Sequence, residues 1–271
     1  MMKKNLFYFF LMGIAFVSCT KDDNGNERRV SINTISAKWN ILDSNSSYAS
    51  IEFTKDGNYI VVERTEKTDL RSASANSGGS LFKPNSSQTV NLRSSQSNLS
   101  PIHFGNYTIE GNNITLSGFG LIEAVNLTTK KFVFSFTLEA TGEKYSYVAE
   151  KAAEPISSSN RTEMICRTWV LEKATDESGN DIEYLPEDEI IGSFLLFSKS
   201  GTYLVLYGGG EGGEAGLSEW KWANKEETEF YYSWDNWNDD WEYNIVKINQ
   251  LTNDSLVFQE EDRIYYLSLR K

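Results

Sequence analysis

The sequence predicts an all-β chain of two tandem antiparallel domains, each a closed barrel or, as the rival arrangement, a β-sandwich. Three observations predict it. An eleven-residue pattern occurs twice, as Phe53-Thr-Lys-Asp-Gly-Asn-Tyr-Ile-Val-Val-Glu63 and Phe197-Ser-Lys-Ser-Gly-Thr-Tyr-Leu-Val-Leu-Tyr207, and such repeats reveal repeated structural units. Short alternating or apolar runs follow each copy, with turn residues about every 8–12 positions. No segment carries an amphipathic helix of four turns, and aromatics make up 13 % of the chain against only four prolines.

The first residues read as a leader. Lys3 and Lys4 precede an apolar run from Leu6 to Val17. Twelve residues make about 18 Å of helix, short of the roughly 30 Å hydrocarbon core, so the run is not a membrane span. Val17-Ser18-Cys19 resembles a bacterial lipobox, with Phe16 where leucine is commonest. The resemblance implies cleavage before Cys19 and acylation of its sulfur, palmitate among the chains, which would hold the protein on a membrane. Lys21-Asp22-Asp23 resembles the export signal of surface lipoproteins of the Bacteroidota. It implies an outer-membrane lipoprotein exposed at the cell surface. The expected organisation is a signal peptide over 1–18, a lipidated tether over 19–33, a first domain over 34–151, a linker over 152–161 and a second domain over 162–271.

Without Lys3 and Lys4 the chain has 24 basic against 38 acidic residues, a net charge near −14. That balance leaves no basic footprint for nucleic acid. Once Cys19 is lipidated, Cys166 is the remaining thiol, so no internal disulfide is expected and each domain relies on its core. Cys166 reads as a small buried hydrophobe at an apolar strand start.

In the repeat, Phe leads into a Lys-Asp-Gly or Lys-Ser-Gly turn whose glycine takes positive φ, and a strand resumes at Tyr59 or Tyr203. A tryptophan segment precedes each copy, at Ala37-Lys-Trp39 and Arg167-Thr-Trp169. The first domain continues in strands at 105–109, 111–116, 131–138 and 145–148. The second continues at 218–222, 229–234, 243–248, 255–258 and 264–269. The tryptophan strand, the Phe-x-x-x-Gly-x-Tyr hairpin and Gly105-x-Tyr107-x-Ile109 resemble the lipocalin-like domains of Bacteroidota lipoproteins. The resemblance implies two lipocalin-like barrels, each able to hold a small apolar or amphipathic ligand.

Candidate sites follow from composition. Leu70 to Ser100 is rich in Ser and Asn, and Gly208 to Gly213 fills the same slot of the second copy. These loops lie at equivalent ends of the domains, where they either cover the mouths or are merely solvated. Residues 211 to 242 hold five of the seven tryptophans. Trp220 and Trp222 share a strand face and read as core. Trp234, Trp237 and Trp241, with Tyr231 and Tyr232, are the candidate ligand-binding aromatics: rings among Asn and Asp suit a glycan. Their 3-then-4 spacing equally suits one buried helix face. No EF-hand register fits the acids there, so no metal is expected. His103 is the single histidine, and no nucleophile elbow, Walker loop or dinucleotide fingerprint is present. The chain is therefore expected to be non-catalytic and without cofactor. The alternative to ligand capture is a structural or interaction subunit of an outer-membrane complex, or a glycan-binding accessory protein.

Overall fold

The computed structural model describes residues 29–64, 81, 90–91, 102–182, 191–207, 214–233 and 245–271. In chain order the first part contains α1 (Ile32–Ile35), β1 (Ala37–Ile41), β2 (Tyr48–Phe53), β3 (Asn58–Glu63) and β4 (Val90–Asn91). It goes on through β5 (Ile102–Glu110), β6 (Asn113–Leu116), β7 (Gly120–Leu127), β8 (Lys131–Leu138) and β9 (Lys144–Lys151). The second part contains α2 (Asn160–Ile165), β10 (Thr168–Asp176), β11 (Phe194–Phe197), β12 (Thr202–Leu206) and β13 (Glu214–Trp222). It ends with β14 (Glu229–Ser233), β15 (Ile245–Leu251), β16 (Ser255–Glu260) and β17 (Arg263–Leu269).

Two closed, eight-stranded antiparallel barrels result. In the first, β1, β2, β3 and β5 to β9 pair in chain order, and Trp39 opposite Lys151 closes β1 onto β9. In the second, β10 to β17 pair in the same up-and-down order, and Trp169 opposite Leu269 closes the ring. Closure removes the open edges that a sandwich would leave, and it excludes the sandwich alternative. Strand β4 belongs by sequence to the first domain but adds to the second barrel, with Val90 opposite Ala215.

Alternation fills each interior. Trp39, Ile41, Ile51, Phe53, Tyr59, Phe132, Phe134 and Phe136 meet inside the first barrel. Trp169, Leu171, Phe197, Tyr203, Trp220, Phe230 and Phe258 meet inside the second.

The repeat holds at the level of single atoms. Gly57 and Gly201 have φ of 85° and 79°. The Thr54 amide donates to the Asn58 carbonyl and the Ser198 amide to the Thr202 carbonyl, both at 2.9 Å. Each turn also returns an amide to the preceding hydroxyl, Asn58 to Thr54 Oγ1 at 3.0 Å and Thr202 to Ser198 Oγ at 3.2 Å.

Two short helices precede the barrels, α1 across the expected junction of tether and first domain and α2 across that of linker and second domain. Ser31 caps α1 and Ser159 caps α2 through side-chain oxygens that accept amides of the first turn. Trp39 Nε1 donates to the Ile35 carbonyl and Trp169 Nε1 to the Ile165 carbonyl, each at 2.9 Å, so each barrel tryptophan ties down the end of its helix. Val30 and Ile156, which precede these helices, are buried in the packed cores. Helices of four and six residues are too short for periodicity to reveal. Cys166 accordingly sits at the end of α2 rather than at a strand start.

The barrels pack on the outward faces of their repeated hairpins. Ile60 and Ile102, with partly buried Val62 and Phe104, meet Leu196, Leu204, Leu206 and Ala215. Ile60 and Leu204, like Val62 and Leu206, occupy the same positions in the two copies, so corresponding faces are buried together. Polar bonds rim this contact. Asp56 Oδ2 accepts from the Thr168 amide at 2.9 Å and from Thr168 Oγ1 at 2.6 Å. Asn58 Nδ2 donates to Thr168 Oγ1 at 3.1 Å.

Candidate functional site

Among the described residues the first barrel's interior is closely packed. Its residual cavity measures about 10 Å³ among Tyr48, Ile51, Val61, Phe119, Phe136 and Tyr147. That is about the volume of one water position, in a lining too apolar to hold the water. His103, at its rim, stacks on Phe119 at 4.1 Å and places Nε2 2.7 Å from Glu63 Oε1.

The second barrel is built differently at one place. Along β16, Leu256, Phe258 and Glu260 are buried while the residues between them are partly exposed, so the alternation that lines the interior also carries a carboxylate inside. Tyr232, from β14, donates its hydroxyl to Glu260 Oε1. Tyr203, from β12, is fully enclosed. Burial first, and then the Glu260 carboxylate, hold the Tyr232 hydroxyl far above its ordinary titration range. Burial also raises that of Tyr203, with Tyr207 and Glu260 adding to it. Both remain neutral donors at any physiological pH.

What these groups hold comes from the first domain. The Leu81 amide donates to both oxygens of Glu260, at 3.0 and 3.1 Å. The Leu81 carbonyl accepts the Tyr203 hydroxyl at 2.9 Å, and the Leu81 side chain is fully buried in the second core. The loop after the shared hairpin was expected to cover a barrel mouth or to be solvated. At Leu81 and β4 it engages the neighbouring barrel instead.

A second concavity, of about 210 Å³, opens between the domains. Its charged lining is Glu52, Lys55, Lys151, Glu154, Glu163 and Lys199. These charges are largely matched: Lys55 and Lys199 both pair with Glu163, and Lys151 pairs with Glu154. Lys199 first, and Lys55 after it, hold the Glu163 carboxyl below the usual carboxylate range. Cys166 borders this pocket, and burial pushes its thiol well above the ordinary cysteine value. It therefore stays protonated and has little nucleophilic character.

Of the residues singled out in the sequence, Cys19, Lys21, Asp22, Asp23, Trp234, Trp237 and Trp241 lie outside the described residues. Tyr231 and Tyr232 fall on opposite faces of β14. Tyr232 points into the barrel, whereas Tyr231 is half-buried with the Lys221 ammonium 5.7 Å from its ring centre. Trp220 is core, as expected, and Trp222 packs beside it with Nε1 donating to Thr162 Oγ1 at 2.8 Å. Among the described residues no group of three or more His, Cys, Asp and Glu converges as metal ligands would. No helix among them is long and apolar enough to cross a membrane.

No protein-family model matches this chain, and no curated protein matches it significantly. The site must be read from its own residues. Sequence reasoning passed over Leu81 and Glu260. A signal for Glu260 was present: extending the Leu256-x-Phe258 alternation by one step places an acid on the inward face. No local signal marks Leu81, whose partners are in strands more than a hundred residues away.

Proposed function

We propose that this protein is a non-catalytic, surface-exposed lipoprotein that binds a small amphipathic molecule in its second barrel, while the first barrel supports and orients it. The observation that carries this reading is the buried Glu260 carboxylate with the Tyr203 and Tyr232 hydroxyls inside an otherwise aromatic interior. A few convergent polar groups in an apolar barrel interior are how barrels orient amphipathic ligands. Membrane attachment rests on the lipobox-like Val17-Ser18-Cys19 and on the acidic signal after it.

Native mass spectrometry of the full protein extracted from its own membranes tests the ligand reading. A stoichiometric small molecule is the expected result. A specific observation favours a second reading, an interaction subunit of an outer-membrane complex: the described residues of the first interior pack around a cavity of about 10 Å³, and the two barrels are joined over an apolar face. Recovery with a stoichiometric protein partner and no small molecule would favour that second reading. Replacing Cys19 with Ala should abolish acylation. Replacing Lys21, Asp22 and Asp23 together should spare acylation but remove the protein from protease at the surface of intact cells.

A further inference from the structure

We propose that Leu81 occupies, in cis, a binding site of the second barrel that is built for a leucine-like amino-acid amide or peptide. The proposal rests on the reading of that barrel as the ligand-binding one, and it names the chemistry and the internal competitor.

Leu81 meets the barrel as a ligand does. Its main-chain nitrogen, its carbonyl and its isobutyl group are each received separately. Glu260 on β16 takes the nitrogen through both carboxylate oxygens, at 3.0 and 3.1 Å. Tyr203 on β12 takes the carbonyl at 2.9 Å. The isobutyl group is buried in the apolar cluster that contains Phe230, Phe258 and Tyr265. These receiving groups belong to the second barrel, and the occupant belongs to the first domain.

A barrel needing only to fill its interior would carry another apolar residue at position 260, as at 256 and 258. A carboxylate enclosed among aromatic rings is costly unless its oxygens are bonded. Two of its bonds come from one peptide N–H of the other domain. A peptide N–H brings no charge to that carboxylate. An ammonium at the same place would bring a full positive charge against the carboxylate, adding ion pairing to the hydrogen bond. The three receivers therefore suit a free leucine-like amine bearing a carbonyl at least as well as they suit Leu81. Competition for one site lowers the apparent affinity by the fraction of molecules in which Leu81 is bound.

L-leucinamide reproduces the nitrogen, the carbonyl and the side chain of Leu81, and it is the probe. Its binding to the full chain is titrated by calorimetry in three forms: unaltered, Leu81→Asp, and Leu81→Asp with Glu260→Gln. Aspartate at 81 faces Glu260 with like charge and cannot enter the apolar cluster, so it vacates the site. The expected result is binding at least tenfold tighter in Leu81→Asp than in the unaltered chain, with at least a tenfold loss when Glu260→Gln is added. Equal affinities in the three forms would overturn the proposal. If Leu81→Asp fails to fold, Leu81→Pro removes the N–H that Glu260 holds. Saturable leucinamide binding to Leu81→Pro then supports the proposal, and its absence overturns it. A small molecule that copurifies with the unaltered protein, beside variants that ignore leucinamide, would defeat this proposal alone and leave the broader ligand-binding reading standing.

Discussion

Thr202 Oγ1 donates to Glu52 Oε2 at 2.7 Å across the junction of the two barrels, between two buried side chains 150 residues apart. Thr202 occupies the position of Asn58 in the other copy of the hairpin. The repeat therefore does two kinds of work, building each barrel with its inward face and joining the barrels with its outward one.

Replacing Thr202 with Val keeps the shape and removes the donor. A buried acceptor that loses its partner costs about 1–3 kcal/mol. For a unit of this size each kilocalorie lowers the melting temperature by roughly 2–4 °C. Calorimetry should show a drop of several degrees. An unchanged melting temperature would mean that this bond contributes nothing to joining the domains.

Acid should loosen the same junction. Lys199 and Lys55 hold Glu163 below its ordinary titration range, so its contribution is present above the usual carboxylate value. That contribution is lost as pH falls through the lowered value. The stability difference between the unaltered protein and Glu163→Gln should exist at pH 7 and vanish in strong acid. Urea unfolding at a series of pH values measures it, and a difference constant with pH would refute the assignment.

The two tryptophans that hold the short helices should behave alike. Phenylalanine at 39 or 169 keeps most of the ring and removes the indole donor, leaving the Ile35 or the Ile165 carbonyl without that bond. Each change should cost about 1–3 kcal/mol. Alanine, which empties the volume as well, should cost about 3–5 kcal/mol. Denaturant midpoints for the four variants distinguish the bond from the packing.

Glycines at two positions should fail for different reasons. A Cβ on Gly120 would lie 2.3 Å from the Thr137 carbonyl oxygen and 2.7 Å from Phe136 Cε2, so Gly120→Ala forces β7 and β8 apart. Such overpacking costs typically about 1–3 kcal/mol. Gly57 has open space around it but a φ of 85°, so Gly57→Ala meets only backbone strain of about 1–2 kcal/mol. Hydrogen exchange should show loosening along β7–β8 in the first variant and confined to the hairpin turn in the second.

High pH should attack the first barrel from inside. Burial pushes the hydroxyls of Tyr48, Tyr59 and Tyr107 up to about 12 from the ordinary tyrosine value of 10.0. The neutral forms are favoured by folding, so this stability is complete below pH 10, where the unfolded chain also keeps its protons. It is lost as pH rises from 10 towards 12, with a slope of about 1.4 kcal/mol per pH unit for each tyrosine. Absorbance at the tyrosinate band should rise together with unfolding, and early titration of these residues in a still-folded protein would contradict their burial.

Much of the fold was legible in the sequence because both of its determinants are local. Alternation places Phe53, Tyr59, Phe197 and Tyr203 inside their barrels, and a turn glycine with positive φ follows from the Lys-Asp-Gly and Lys-Ser-Gly patterns. Two strands starting from one hairpin at each repeat also predicted matching domains. The helices α1 and α2 escaped because four and six residues show no period. For the candidate site the legible part was small. Tyr232 was singled out, but for a surface, and its hydroxyl meets Glu260 inside the barrel.

By itself the sequence determined the all-β class, the duplicated hairpin and the inward faces, since these depend on residues two to five positions apart. Only the tertiary structure decided what lies on the other face of β3 and β12. An apolar run such as Tyr203-Leu-Val-Leu206 announces burial on both sides, yet the outer partner is a distant surface that no spacing encodes. The same reason governs Leu81: a residue among serines and glycines becomes fully buried because a carboxylate and a tyrosine 179 and 122 residues along the chain are folded to its own amide and carbonyl.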